Sequence, residues 1–280
     1  MKIKTIALQI LIILYFCSYV KSQDIRLMTY NIRYANESDF PHVWEARNPL
    51  ILAQIHDFKP DIAGFQEVLH RQLIDLENGM KNYQRIGVGR DDGATAGEYA
   101  PLFINTERFK ILDNGVFWLS ENPEKVSVGW DAALPRIATW ATLYDHESNE
   151  NYLVINTHFD HVGKLARFNS IQLIVDFLKK PEYSDYHAVL MGDLNTGPEE
   201  EPYEYLKKHQ LLIDPYFDAL HRKGPADTFN DFKYESKEDR IDYIFLDRKL
   251  KALKYEVLME MHNGILPSDH WPVMVIARKR

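Results

Sequence analysis

"LPSDHWPVMVIAR", Leu266 to Arg278, sets an Asp-His pair and a Trp-Pro directly ahead of an apolar run. The run itself has the β-branched character of a strand, but Pro is excluded from strand interiors and paired titratable groups are not strand formers. "HWPVMVIAR" is therefore expected to be a strand whose head, Asp269 and His270, faces something polar. The same layout recurs along the chain. "TYN" ends with Asn31, "FQE" with Glu67, "INTH" with His158 and "LMGDLN" with Asp193 and Asn195, while "RIDYIF" carries Asp242 within it.

Working outward, the expected strands are "IRLMTYNIR", "DIAGFQEV", 83–88, 101–105, 109–120, 137–144, 152–157, "HAVLMGD", "RIDYIFL" and "HWPVMVIAR". "WEARNPLILAQIHDF" places apolar residues at Leu50, Ala53, Ile55 and Phe58 near helical spacing, and Lys59-Pro60 ends it. A second amphipathic helix is expected around Leu69 to Leu76. A third is expected in "GKLARFNSIQLIVDFLKK", with Leu165, Phe168, Ile171, Ile174, Val175 and Leu178 on one side. Some strands adjoin and others are separated by helices, which indicates mixed sheets rather than a doubly wound parallel sheet. No repeat, linker or composition shift divides the chain, so one domain is expected over residues 23–280.

The first 22 residues read as an address. Lys2 and Lys4 precede an apolar run from Ile6 to Phe16, and Val20 and Ser22 stand at the −3 and −1 positions of a signal-peptidase site. The run is well short of the ~20 apolar residues that a spanning helix needs. The expectation is removal of residues 1–22, no transmembrane segment afterwards, and a secreted or periplasmic protein. Cys17 is the single Cys and falls in this leader, so no disulfide is expected in the mature chain. Lipid attachment at Cys17 is the alternative, with bulky Phe16 against it. The leader holds three of the 33 basic residues and none of the 41 acidic ones, which makes the remainder more acidic than the formal −8 of the whole. Blanket attraction to nucleic acid or anionic lipid is not supported, whereas a carboxylate-rich cation site is compatible.

Singly, each strand-end polar residue has an ordinary structural explanation: a turn, a helix cap, a satisfied core histidine, or an ion pair between Asp242 and a neighbouring base. Gathered on one rim, they would assemble carboxylates, amides and two imidazoles in a cleft. Carboxylate and amide oxygens are hard ligands that suit Mg²⁺ or Mn²⁺, with Ca²⁺ third. The HxxH formed by His158 and His161 lacks the Glu of a zinc-protease helix. A hard cation with His, Asp and Asn around an open position suits attack of water on phosphorus.

Taken in order, "MTYNIR", "GFQEV", "NTHFDH", "MGDLNTGP", "RIDYIF" and "SDHWPV" resemble the motif series of the endonuclease/exonuclease/phosphatase (DNase I-like) superfamily, from Ile25 to the C-terminus. Its members include DNase I-like nucleases, AP endonucleases, deadenylases, inositol-polyphosphate 5-phosphatases and bacterial sphingomyelinases. The resemblance implies an α/β (α+β) fold, a four-layer α/β/β/α sandwich of two packed mixed β-sheets with the site at one edge. It implies Glu67 as the main metal carboxylate, with Asn31 and Asp269 beside it. Asp193 and Asn195 would position water and the scissile phosphate, His158 would donate to a phosphoryl oxygen, and Asp242 with His270 would form a carboxylate–imidazole pair. Whether Asp193 or His270 is the base stays open, and attack in line with the leaving oxygen is expected.

Arg33 stands where AP-endonuclease-like members carry an acidic residue. No long aromatic hairpin suits membrane insertion, and Phe117-Trp118 reads as core. "GEYAPLFIN" and "GWDAALPRIATWA" resemble segments of a secreted bacterial branch. Further residues are weighed as contacts to substrate. Tyr99 follows a Gly-rich loop that could reach over the cleft. Arg136 could clamp phosphate or pair with Asp131, and His161 could contact substrate, as could Asp160. Arg167 reads as structural. The chain is therefore expected to be a metal-dependent phosphoester hydrolase without an obligate protein partner. Its substrate could be nucleic acid, nucleotide, phospholipid head group or phosphorylated sugar, and a sphingomyelinase- or inositol-phosphatase-like enzyme stays within that range. The alternative of another class is a non-catalytic binder of a phosphorylated ligand on the same fold.

Overall fold

The computed structural model describes residues 24–235 and 239–280, so the expected leader and Cys17 lie outside the described residues. In chain order the main elements begin β1 (Ile25–Asn31), α1 (Trp44–Phe58), β2 (Ile62–Gln66), α2 (His70–Gly79), β3 (Tyr83–Ile86) and β4 (Leu102–Asn105). Then follow β5 (Phe109–Trp118), β6 (Ile137–Asp145), β7 (Glu150–His158), α3 (Lys164–Leu178), β8 (His187–Asp193) and α4 (Glu201–His209). The chain ends with β9 (Leu212–Ile213), α5 (Pro215–Asp218), β10 (His221–Lys223), β11 (Asp242–Asp247), β12 (Leu250–Val257) and β13 (Val273–Lys279).

The strands form a seven-stranded sheet ordered β10-β12-β13-β1-β2-β4-β3 and a six-stranded sheet ordered β5-β6-β7-β8-β11-β9. Both are mixed: β1 runs parallel to β2 and antiparallel to β13, and β8 runs parallel to β7 and antiparallel to β11. Alternation along each strand sorts side chains between two layers. On β1, Ile25 and Leu27 enter the core between the sheets, while Met28 and Tyr30 face the helices. On β8, Val189 and Met191 point inward and Leu190 outward. Ile51, Ile55, Leu73 and Leu76 of α1 and α2 cover the outside of the first sheet. Ile171, Ile174 and Val175 of α3 and Leu206 of α4 cover the second. The result is the four-layer α/β/β/α sandwich. No described helix is long and apolar enough to cross a membrane.

Several local expectations are corrected. The buried stripe of α1 is Trp44, Arg47, Ile51, Gln54 and Ile55, at strict helical spacing but with two polar members that hydrophobic counting passes over. On α3 the buried face begins at Ala166, and Leu165 is exposed. β13 starts at Val273, so His270 to Pro272 are lead-in rather than strand. The segment from α4 to β10, and β12, were not foreseen. In β12 a register shift between Ala252 and Lys254 breaks the alternation: Ala252 and Tyr255 are both buried.

Candidate active site

The site is the continuation of the inter-sheet layer past its apolar part. On β1 the inward row Ile25, Leu27 and Thr29 is completed by Asn31, and on β7 the row Tyr152, Val154 and Asn156 is completed by His158. Val189 and Met191 lead to Asp193, while Asp242 precedes Ile244 on β11. Strand register then places His158 opposite Asp193, and Asp193 opposite Asp242. A buried polar layer supports them: Gln66 Nε2 donates to Thr29 Oγ1 (3.0 Å) and Asn156 Oδ1 (2.6 Å). Asn156 Nδ2 donates to the carbonyls of Phe65 and Pro101, both at 2.9 Å. Gly64 faces this layer closely, since a Cβ there would lie 2.6 Å from Asn156 Oδ1 and 2.8 Å from Met191 Sδ.

Above it, Asn31 joins two carboxylates: its Nδ2 donates to Glu67 Oε1 (3.1 Å) and Asp193 Oδ2 (2.9 Å). Its Oδ1 accepts from the Arg33 backbone N–H at 3.0 Å, which fixes the amide's orientation. Asn31 therefore stands beside Glu67, as expected of it, and meets it through its N–H₂. Glu67 also accepts from the Tyr34 N–H at 3.1 Å. Arg33, Glu67 and Asn195, with φ of 55°, 59° and 45°, are held in the left-handed region, where non-glycine residues are strained and often serve a site.

Asp193 lies between the two imidazoles, its Oδ2 3.6 Å from His158 Nε2 and 3.9 Å from His270 Nε2, while its Oδ1 accepts from the Asn195 N–H at 2.9 Å. His270 Nδ1 meets Asp242 Oδ2 at 2.8 Å. Burial alone would lower the His270 pKa, but the carboxylates of Asp242, Asp193 and Asp269 outweigh it and push it up to about 10. Burial and the Asp242 charge push Asp193 up to about 7 against the pull of His270. His158 is held well below its usual value by burial and by Arg136 and Arg90, so its ring is neutral and carries one N–H.

Two groupings could receive a cation. Ligand atoms of Asp193, Asp242 and His270 lie within 4.8 Å of one another, but the Asp242–His270 hydrogen bond already uses one face of that triangle. Glu67 and Asp269 fit a hard cation better. Both offer carboxylate oxygens, and the positive group between them is the Arg33 guanidinium, 3.9 Å from Glu67 Oε2 and 3.6 Å from Asp269 Oδ2. Burial pushes the Asp269 carboxyl up to about 6; His270 pulls it down and Glu67 pushes it further up. That mutual repulsion is what a bound cation would relieve.

The surrounding cleft, about 750 Å³, takes in Glu67, His158, His161, Asp193, Asn195, Asp269, His270 and Arg136. Tyr99 does not reach over it. The ring is buried, and its hydroxyl donates to the Ala94 carbonyl (2.9 Å) and meets His70 Nδ1 (3.1 Å), which secures the Gly-rich loop. Arg136 does not pair with Asp131, whose carboxylate accepts from the Leu165 and Ala166 N–H groups at the start of α3. Its Nε donates to Asp160 Oδ2 (3.2 Å) and its Nη2 meets His161 Nδ1 (3.0 Å). Arg167 donates to the Asp160 carbonyl (3.0 Å). Trp271 is buried in the inter-sheet core, and Phe229 is the ring against the imidazole, 5.0 Å from His270. Sequence reading missed Arg90, Glu98, Phe229, Phe232 and Asp239, all of which line the cleft from connecting segments without periodicity. Arg47 was missed too. Fully buried, it donates to the carbonyls of His42 (2.7 Å), Arg33 (3.0 Å) and Pro267 (3.0 Å) and ties the cleft loops together.

This arrangement has relatives. A crystal structure of an endonuclease/exonuclease/phosphatase from Bacteroides vulgatus shares 39% identity with a TM-score of 0.88, covering 92% of this chain and 99% of that one. A mannosyl-6-phosphatase from Bacteroides thetaiotaomicron shares 36% identity with a TM-score of 0.87, covering 90% of this chain and 99% of that one. Among curated proteins, the "Probable RNA exonuclease NGL3" of Saccharomyces cerevisiae is 28% identical over 217 residues, which span 69% of this chain but only 41% of the relative. Residues 28–270 match the model of the Endonuclease/Exonuclease/phosphatase family, and the chain belongs to that family.

Proposed function

We propose that the protein is a secreted, divalent-metal-dependent phosphoester hydrolase whose substrate is a small phosphorylated alcohol of the sugar phosphate kind. The observation that carries the chemistry is Asn31, whose amide joins Glu67 to Asp193 within a site that also contains the His270–Asp242 pair. Glu67 and Asp269 would hold Mg²⁺ or Mn²⁺, with Ca²⁺ as third choice, and the ion would neutralise phosphate oxygens. Asn195 orients the phosphate, and Asp193 orients the attacking water in line with the leaving oxygen and takes its proton, since His270 is already protonated. The neutral His158 donates its N–H to a phosphoryl oxygen. His270, fixed by Asp242, holds positive charge against the negative charge that spreads over the phosphoryl group.

Two observations favour a small substrate over nucleic acid. The cleft lining includes Asp231, Asp239 and Glu200, whose carboxylates can accept from sugar hydroxyls. The relative named mannosyl-6-phosphatase aligns over nearly its whole length, whereas the named exonuclease is matched over less than half. Phosphate release from mannose 6-phosphate with Mg²⁺ or Mn²⁺, set against EDTA controls and a single-stranded RNA, tests the reading. Glu67→Gln and His270→Ala are each expected to lower kcat by at least about 100-fold. Near-wild-type rates in both variants would sink the site assignment, and metal-dependent binding without turnover would favour a non-catalytic binder.

A further inference from the structure

The catalytic cleft continues past Glu200 and Asp239. The same two residues line a second cavity of about 520 Å³, together with Pro198, Glu199, Tyr216 and Phe217. Pro198, Glu199 and Phe217 in turn line a third, of about 580 Å³, with residues of α4, β9 and α5. Both volumes fall within the range of small-molecule sites. Their walls are braced. The Gly197 N–H donates to Glu200 Oε1 (3.0 Å) and the Glu200 N–H to the Gly197 carbonyl (3.1 Å), which closes the turn carrying Pro198 and Glu199. On α5, Asp214 Oδ1 accepts from the Tyr216 N–H (2.9 Å), and its Oδ2 accepts from Arg240 Nη2 and the Tyr203 hydroxyl (2.7 and 2.8 Å). The Arg240 guanidinium lies 4.5 Å from the Tyr216 ring and 5.6 Å from the Phe217 ring. Phe217 is thus anchored while 71% exposed. One exposed Phe is ordinary on a surface, but this one stands where the two cavities meet. Glu199 and Asp239 are exposed as well, and neither carboxylate has a hydrogen-bond or ion-pair partner among the described residues.

We propose that these cavities form a track for a neutral oligosaccharide, so that the phosphorylated sugar in the cleft is the end unit of a longer glycan. The inference rests on the sugar phosphate reading and deepens it by naming what the sugar is attached to. A pyranose offers hydroxyls around its edge and a face of C–H groups. Carboxylates accept from the hydroxyls, and an exposed aromatic ring covers the C–H face. Glu199 and Asp239 supply the first and Phe217 the second. The arm is neutral because Arg240, the cation on the lining of the second cavity, is 6% exposed and already paired with Asp214. A second phosphate there would meet the Glu199 and Asp239 carboxylates without a counter-ion. Binding energy from such a remote arm appears in kcat/KM at the reacting phosphate.

The test compares mannose 6-phosphate with a mannotriose carrying the same phosphate on its non-reducing end, in wild type, Phe217→Ala and Glu199→Gln. Wild type is expected to favour the trisaccharide about tenfold in kcat/KM. Phe217→Ala is expected to lower kcat/KM about tenfold on the trisaccharide and less than about twofold on mannose 6-phosphate. Glu199→Gln is expected to show the same selectivity at about threefold. Equal kcat/KM on the two substrates in wild type, or equal losses on both in the variants, would overturn the proposal. If wild type released phosphate from neither, the sugar phosphate hydrolase reading would fall. Calorimetric titration with the same two compounds would still decide the track: tighter binding of the trisaccharide that Phe217→Ala removes supports it, and equal affinities overturn it. A dimer in sedimentation that Phe217→Ala dissolves would also overturn it, giving this face to a second copy of the chain.

Discussion

Asp160→Asn separates charge from shape at a buried carboxylate that the cleft depends on. Asp160 Oδ1 accepts from the N–H groups of Ala133 (3.1 Å), Val162 (3.0 Å) and Gly163 (2.8 Å), and its Oδ2 receives Arg136 Nε at 3.2 Å. The amide has one acceptor oxygen. If it faces the three N–H groups, its N–H₂ confronts the Arg136 guanidinium; if it is flipped, the N–H₂ confronts the backbone. Breaking a buried pair by neutralising one partner costs about 3 kcal/mol. For a chain of this size that corresponds to a melting temperature lower by roughly 6–10 °C at pH 7. Part of this is linked to protons. Burial would raise the Asp160 pKa, but the three N–H groups and Arg136 prevail and bring it from 3.8 to about 2 in the folded protein. A depressed carboxylate contributes stability that is fully present above pH 3.8 and is lost as pH falls through about 2. The gap between wild type and variant should therefore narrow by about 1–2 kcal/mol between pH 5 and pH 2, as measured by urea unfolding. A variant that melts within about 2 °C of wild type at pH 7, or a gap independent of pH, would refute the reasoning.

Gly64→Ala drives a Cβ into Asn156 and Met191 in the packed layer beneath the site, and should cost about 2 kcal/mol by thermal denaturation. Wild-type stability there would mean that the polar layer yields. Arg47→Lys keeps the charge but gathers all the donors on one nitrogen, too compact to serve His42, Arg33 and Pro267 together. A loss of about 2–4 kcal/mol in urea unfolding is expected, and a neutral result would show that the spread of the guanidinium is not what the loops need. Tyr99→Phe removes the bonds to Ala94 and His70 and should lower stability by about 1 kcal/mol while kcat/KM stays within about threefold. A collapse of activity at unchanged stability would place Tyr99 on the substrate after all.

Much of the site was legible because it is written on strands. Asn31, His158, Asp193 and Asp242 lie an even number of residues from inward-facing Leu27, Val154, Val189 and Ile244, so alternation alone puts them on the inner face. The loop residues were not legible, since no period ties Arg90, Glu98 or Phe229 to a direction. The buried polar positions Arg47, Gln54, Gln66 and Asn156 were hidden for a related reason: hydrogen bonds from their side-chain N–H groups let them occupy places that hydropathy assigns to carbon.

By itself, then, the sequence determined the strands that carry the site, though not β9, β10 or β12, together with the face each polar end would take and the family. Tertiary structure alone decided who meets whom. Asn31 reaches Asp193 across 162 residues because β1 and β8 lie in different sheets whose inner faces pack together. The Asp-His of "LPSDHWPVMVIAR" gained its partners the same way, Asp242 for His270 from β11 and Arg33 for Asp269 from the end of β1. Local chemistry sets the direction of a side chain along its own strand, but sheet packing and register, which sum contacts over the whole chain, set what stands opposite.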